Sequence, residues 1–453
     1  MGRFKITIII TLIYTFITLS SALANQKPDN FVCITMDEAI SSALAHNPGI
    51  SAAKASVAAS YQRARQAESG FYPRINLSES FIRTDNPMWT FGTKINQGGI
   101  TASDFSPDAL NSPPALNNYA TRLSLNWYLF DGGRTWYGTK QAGFAQKAED
   151  SRLKQTEQEI IFQTIKAYFG LVLAQENIGV VQQALKTAHA HLEMMENRYK
   201  NGLTVKSDVL RAKVHISSLD QDLAIADSRV YVARATLNAV MGNKHEKPLK
   251  PVTMLSDNKI PATPLDQWIS LTHKNRPELM QTVLEEKMAN AELKKSKARN
   301  LPSLSLNGSY EINSENFDSS KDNYTIGAAV TMNLFSGFGY SAKTEEALLR
   351  ARQVRHLKDD LESRITLEVR QAYYDVMSAQ KRIDTAKTAI DQAKEAMRIV
   401  SNRYESGILP VVSLLDAEVA VYEAINNYNR SLYEKTIAAV ELKKAAGIIG
   451  DKP

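Results

Sequence analysis

A single cysteine, Cys33, stands in the 453 residues, which excludes an intrachain disulfide. Asn30, Phe31 and Val32 before it do not form a lipobox-like Leu-x-x pattern, so no lipid anchor is expected there. Beyond the N-terminus no apolar run reaches the roughly 18 residues of a membrane-spanning helix. That excludes such a helix in the mature chain and leaves a β-barrel open. Charge of one sign is also scarce: 54 Lys and Arg face 48 Asp and Glu, spread along the chain rather than clustered. A nucleic-acid partner, which needs a basic face, is not expected. No G-x-S-x-G or paired-cysteine pattern occurs. Gly133, Gly138, Thr139 and Lys140 resemble a phosphate loop with Lys and Thr in the wrong order. His189 and His191 are two apart and do not share a helix face, so they predict no metal site. The expectation is therefore no catalysis, no metal and no cofactor. What remains is an ordinary folded composition, 43% hydrophobic and 23% charged, long enough for a large core or two to three domains.

The N-terminus reads as a cleaved secretory signal over residues 1–24. Arg3 and Lys5 give a basic start, residues 6–19 an apolar run, and Ala22-Leu23-Ala24 a small-x-small cleavage site.

Proline is missing over long stretches, and where it does occur it reveals that the chain is written twice. Leu265, Pro277 and Pro302 follow Met36, Pro48 and Pro73 at an offset of 229. Leu334-Phe335, Ala372-Tyr373, Arg403-Tyr404, Gly407 and Gly447 then follow Leu129-Phe130, Ala167-Tyr168, Arg198-Tyr199, Gly202 and Gly242 at an offset of 205. Internal repetition of this kind defines the organisation: a first repeat over 25–242, a connector over 243–264 with Pro248, Pro251, Pro261 and Pro264, and a second repeat over 265–453. The change of offset leaves a longer loop in the first copy, about 84–118, expected to be a surface loop.

Each copy has the same internal order. A helical stretch (about 36–70 and 265–299) ends near Pro73 or Pro302. Two alternating segments follow. Ile75, Leu77 and Phe81 oppose Asn76, Ser78 and Ser80. Leu123, Leu125, Trp127 and Leu129 oppose Arg122, Ser124, Asn126 and Tyr128. In the second copy, Leu304, Leu306, Tyr310 and Ile312 oppose Ser305, Asn307, Ser309 and Glu311, and Tyr324 to Leu334 alternate likewise. This period of two suits a barrel strand with a lipid face and a wet face, and Tyr119, Trp127, Tyr310 and Tyr324 are candidates for interfacial belts. A long proline-free helix comes next, with a seam at Leu171, Ala174, Ile178, Val181, Leu185, Ala188, Leu192, Met195 and Tyr199. The second copy repeats it from Val376 to Tyr404. Spacing by threes and fours is a coiled-coil seam, and some 65 residues would span on the order of 100 Å. Gly202 or Gly407 breaks the helix and an antiparallel partner returns.

Four strands cannot close a barrel, and open edges in lipid leave unpaired backbone groups, so copies must pool strands. Two copies give an eight-stranded barrel filled by side chains; three give twelve strands and room for a lumen.

The order helix, hairpin, long helix, glycine turn, return helix, twice over, resembles the TolC family of outer-membrane efflux proteins across nearly the whole mature chain. The most specific segments are Arg198-Tyr199-Lys200-Asn201-Gly202-Leu203 with Asp208-Val209-Leu210, and Arg403-Tyr404-Glu405-Ser406-Gly407-Ile408 with Leu414-Leu415-Asp416-Ala417. The resemblance implies a mainly α fold with a transmembrane β-barrel: long antiparallel coiled coils plus four strands per subunit, a homotrimer with a twelve-stranded barrel in outer-membrane lipid, and an α-helical tunnel in the periplasm. It implies a passive duct in a tripartite efflux or type I secretion system, partnered by a periplasmic adaptor (membrane fusion) protein and an inner-membrane transporter of RND, ABC or MFS type. Gly202, Leu203, Gly407 and Ile408 would be adaptor-docking tips; Asp208, Asp416 and Tyr404 would form a periplasmic gate. Ser413 and Leu409 depart from the family pattern, which argues against a double aspartate ring tied to an arginine. The rival reading is a periplasmic coiled-coil adaptor or scaffold, which should lack lipid-facing strands.

Overall fold

The computed structural model describes residues 31–257, 263–316 and 320–450. The first series of elements is β1 (Val32–Ile34), α1 (Met36–His46), α2 (Pro48–Glu68), β2 (Arg74–Thr84), α3 (Pro87–Asn96), α4 (Pro107–Asn111), β3 (Leu116–Phe130), α5 (Arg134–Lys200) and α6 (Lys206–Val240). The second is β4 (Leu249–Pro251), α7 (Leu265–Asn275), α8 (Pro277–Lys297), β5 (Ser303–Ser314), β6 (Ser320–Thr331), α9 (Gly339–Glu405) and α10 (Val411–Ala445). α5 and α9 each hold 67 residues, α6 and α10 each 35. The expected leader and Pro261 of the connector lie outside the described residues.

Two expectations need correcting. Each opening helical stretch is broken in two, because Pro48 and Pro277 have no N–H to give to the preceding turn and each begins a new helix instead. Asn47 fills the break: its amide donates to the Val240 carbonyl at 2.7 Å, and its side-chain oxygen accepts from the Gly49 N–H at 2.7 Å. The strand count also rises, since β1 and β4 form a parallel pair with Val32 opposite Leu249. Three-residue strands are too short to leave a period-two signal.

The described chain divides into two compact units, and the division crosses the sequence repeat. One unit takes the described residues of Met1–Ser51, Thr156–Asn275 and Thr366–Pro453; the other takes Ala52–Gln155 and Arg276–Ile365.

The second of these holds an antiparallel sheet ordered β2-β3-β5-β6. Its register sorts side chains by chemistry. Leu77, Leu123, Tyr310 and Tyr324 form one cross-strand row, and Ile75, Leu125, Gly308 and Ile326 another. On the opposite face Ser78, Arg122, Glu311 and Asn323 form a polar row, with the Arg122 Nε donating to Glu311 at 2.6 Å. The apolar face is open: Leu77 is 72% exposed and Ile326 73%. Among the described residues, β2 and β6 each pair on one side only. A bulge between Tyr128 and Phe130 shifts the register at Leu129, so the expected alternation stops one residue early. Likewise β6 ends at Thr331, short of Met332 and Leu334. Asp131 then caps α5, accepting from the Gly133 N–H at 3.0 Å and the Thr135 N–H at 2.8 Å. The loop expected over about 84–118 is built rather than plain. α3 carries Lys94, paired with Asp104 at 2.8 Å, and Phe91 meets Phe105 edge to face at 5.7 Å.

The other unit is helical. Thr35 and Glu38 form a capping box that starts α1. Ala39 and Ala43 of α1 pack with Tyr168, Leu171, Leu237, Met241 and Leu249 in one buried cluster. Trp268, Val369, Ala379, Ala438 and Leu442 form a second. Toward the glycine turns the expected seam is buried at Val181, Leu185 and Ala188, against Ile216 and Leu219 of the return helix. Periodicity of three and four thus becomes a continuous packed stripe. Tyr199, expected to close that seam, is 45% exposed.

Candidate functional site

Both hairpins turn by the same device. Gly202 and Gly407 hold φ of 72° and 75°, a region where a side chain is strained. The N–H of Leu203 reaches back to the Arg198 carbonyl at 2.9 Å, and that of Gly202 to Tyr199 at 3.0 Å. Ile408 and Gly407 repeat the pair on Arg403 and Tyr404, both at 2.9 Å. This double bond closes a helix C-terminus on a left-handed glycine. It leaves Leu203 66% and Ile408 70% exposed at the two turns.

Beneath the turns, Met195, Val209, Ala212, Tyr404, Val411 and Leu414 form one buried cluster drawn from both hairpins. The repeat is not symmetric here. Tyr404 is 4% exposed, while its counterpart Tyr199 faces out. Burial pushes the Tyr404 phenol up; nearby Asp208 acts the same way and the Arg198 charge opposes it. Arg198 bridges the hairpins, its guanidinium 5.4 Å from the Tyr404 ring centre and its Nη1 donating to the Glu405 carbonyl at 2.8 Å. Asp208 is half-buried in the first turn of α6, where it accepts from the Thr204 hydroxyl at 2.7 Å and complements the helix dipole. Asp416 is exposed in the second turn of α10.

One constellation is absent from the sequence reading. Glu418 of α10 is held between His191 of α5, through Nδ1, and His215 of α6, whose Nε2 lies 3.2 Å away. Its side chain is 8% exposed and the imidazoles 16% each. The two donors beside Glu418 outweigh burial, which acts upward, and hold its carboxyl below the ordinary value. The signal lay in hairpin register rather than helix periodicity: His191 and His215 stand 12 residues either side of Leu203, so an antiparallel return brings them level. Among the described residues no group of three or more His, Cys, Asp or Glu is arranged to hold a metal ion. Beside this cluster is a cavity of about 700 Å³ between the four helices.

The paired hairpins, the sheet and the repeat agree with a family model. The outer membrane efflux protein model matches residues 39–243 and 268–448, and the chain belongs to that family. It is an outer-membrane protein, akin to channels of efflux and secretion. The outer membrane protein TolC of Vibrio cholerae serotype O1 is 20% identical, with 96% of this chain and 94% of that one covered. The alkaline protease secretion protein AprF of Pseudomonas aeruginosa is 24% identical, with 78% and 73% covered. Solved structures share the fold: CusC with a TM-score of 0.78 at 18% identity (92% and 93% covered), and VceC of Vibrio cholerae with 0.76 at 19% (91% and 96% covered).

Proposed function

We propose that three copies of this chain form a passive export duct, the outer-membrane part of a tripartite efflux or type I secretion system. The carrying observation is the sheet, with an apolar face open on one side and two outer strands paired on one side only. In lipid each unsatisfied backbone group costs several kcal/mol, so such a sheet must close with copies of itself. Twelve pooled strands enclose a lumen, whereas eight would be filled by side chains. The exposed apolar face also favours this over a periplasmic adaptor or scaffold, which has no use for it.

The helical hairpins are the periplasmic tunnel in this reading, built from the two sequence repeats that follow the removed leader. Leu203 and Ile408, presented on Gly202 and Gly407, dock a periplasmic adaptor, and an inner-membrane transporter supplies the energy. Tyr404, Asp208 and Asp416 form the gate. Arg198, rather than a residue at Leu409, supplies the positive charge beside Tyr404. The test is the native mass of the detergent-extracted chain together with its conductance in planar bilayers. A conducting trimer is expected; a detergent-independent monomer or dimer overturns the duct.

A further inference from the structure

Three helices meet at Glu418, and neither of its partners shares its hairpin. The carboxylate stands on α10 of the second hairpin, and its two imidazole partners stand on α5 and α6 of the first. We propose that this His191–Glu418–His215 cluster is a proton-sensitive latch between the two hairpins, drawn tighter in mild acid and looser in mild alkali. The proposal rests on the duct reading, because a latch matters only if the hairpins part during opening.

The chemistry follows from the geometry. A carboxylate held by two imidazoles keeps its charge through the range in which histidine ordinarily gains a proton. Neutral imidazoles can each offer one N–H to it, so the contacts persist without charge assistance. A proton on either ring replaces a dipole with a full positive charge beside a nearly enclosed carboxylate, which shortens and strengthens the bond. The Glu418 side chain is 8% exposed, so the added attraction is screened less than in a surface pair. Besides His215 and Glu418, the adjoining cavity is lined by Glu176 from α5, Asp222 from α6, Lys394 from α9, and Tyr422 and Glu423 from α10. Among these, three carboxylates face one lysine.

Any opening that slides the second hairpin past the first must break the bonds from Glu418. Mild acid therefore raises the barrier to opening, and mild alkali lowers it. A periplasm that follows external pH would couple this duct to acidity outside the cell.

The experiment is single-channel recording of the purified trimer between about pH 6 and about pH 8, with His191→Gln/His215→Gln and Glu418→Gln beside the unmodified chain. Glutamine at 191 and 215 keeps an N–H donor and removes the titration, and at 418 it removes the negative charge that a protonated ring would attract. The unmodified channel is expected to open at least about twofold less often at the acidic end. Both variants are expected to conduct with an open probability independent of pH. Survival of detergent-resistant trimers shows that each variant has folded. A folded variant that keeps the full pH response overturns the latch, as does an unmodified channel that conducts alike at both ends. Absence of conductance from intact trimers at every pH would instead overturn the duct reading, and the latch with it.

Discussion

The Tyr168 hydroxyl, fully buried, donates to the Ile34 carbonyl at 2.9 Å. The same oxygen accepts from the N–H groups of Val252 and Thr253 at 3.0 and 2.8 Å. One side chain of the long helix thereby fastens both strands of the small parallel sheet at their C-terminal end. Tyr168→Phe preserves the ring's packing but takes the hydroxyl from the Thr253 N–H, while the Val252 N–H keeps the Ile34 carbonyl at 3.1 Å. Buried groups left unsatisfied cost about 1–3 kcal/mol. We expect denaturant unfolding of the detergent-solubilised protein to register a loss of that size, with trimers retained. A change within error would mean that water replaces the hydroxyl.

The glycines provide a matched pair. Gly202 and Gly242 share a positive φ, 72° and 71°, but differ in surroundings. A Cβ on Gly202 meets open space, whereas one on Gly242 collides with the His46 carbonyl. Gly202→Ala should cost only the left-handed strain, about 1–2 kcal/mol. Gly242→Ala should cost more, because backbone must move as well. Comparing the unfolding midpoints of the two variants checks the order. Export is the separate readout at the turns: bulky residues at Gly202 and Gly407 are expected to abolish it while trimers persist. Export at the normal level would remove the docking role.

These residues also mark what could be read from sequence. Seams, glycine turns and the two faces of the sheet leave periodic traces in residue type, and the fold shows the glycine turns, the two faces and most of the first seam. The split at Pro48 and Pro277 has a visible cause, a proline inside a helical pattern. Other features leave no local trace. The β1–β4 pair joins residues more than 200 positions apart. Arg198 over Tyr404 and Glu418 between two histidines depend on one hairpin's register against the other. Nothing within either repeat encodes that register.

The loop after β2 gives a test in pH. Hydrogen bonds from Lys94 and then from the Thr101 N–H hold the Asp104 carboxyl down to about 2. A depressed carboxylate contributes order above its ordinary value and loses it as pH falls through the folded one. Trp89, exposed on α3, is a convenient neighbour. Its fluorescence, or protease access to the loop, should stay constant down to about pH 3. In Lys94→Met the same change should begin nearer the ordinary carboxylate range. Coincident transitions in the two proteins would show that this pair does not order the loop.

Asp208 and Asp416 differ in a way that separates structure from gating. Asp208 is tied to Thr204 in the first turn of its helix, so Asp208→Ala removes a stabilising group at a helix N-terminus. That loss is about 0.5–1 kcal/mol. Asp416 is exposed one turn deeper, so Asp416→Ala should leave stability unchanged. In a threefold duct each substitution deletes three carboxylates, and a ring of such charge sets cation preference where it lines the bore. Reversal potentials under a salt gradient, measured for both single variants and the double, distinguish the roles. A shift toward anions in Asp416→Ala at unaltered stability assigns Asp416 to the bore. A stability loss in Asp208→Ala with no shift in selectivity assigns Asp208 to its helix alone. If neither variant alters conductance or selectivity, the gate does not run through these carboxylates and must lie with Tyr404 and Arg198 instead.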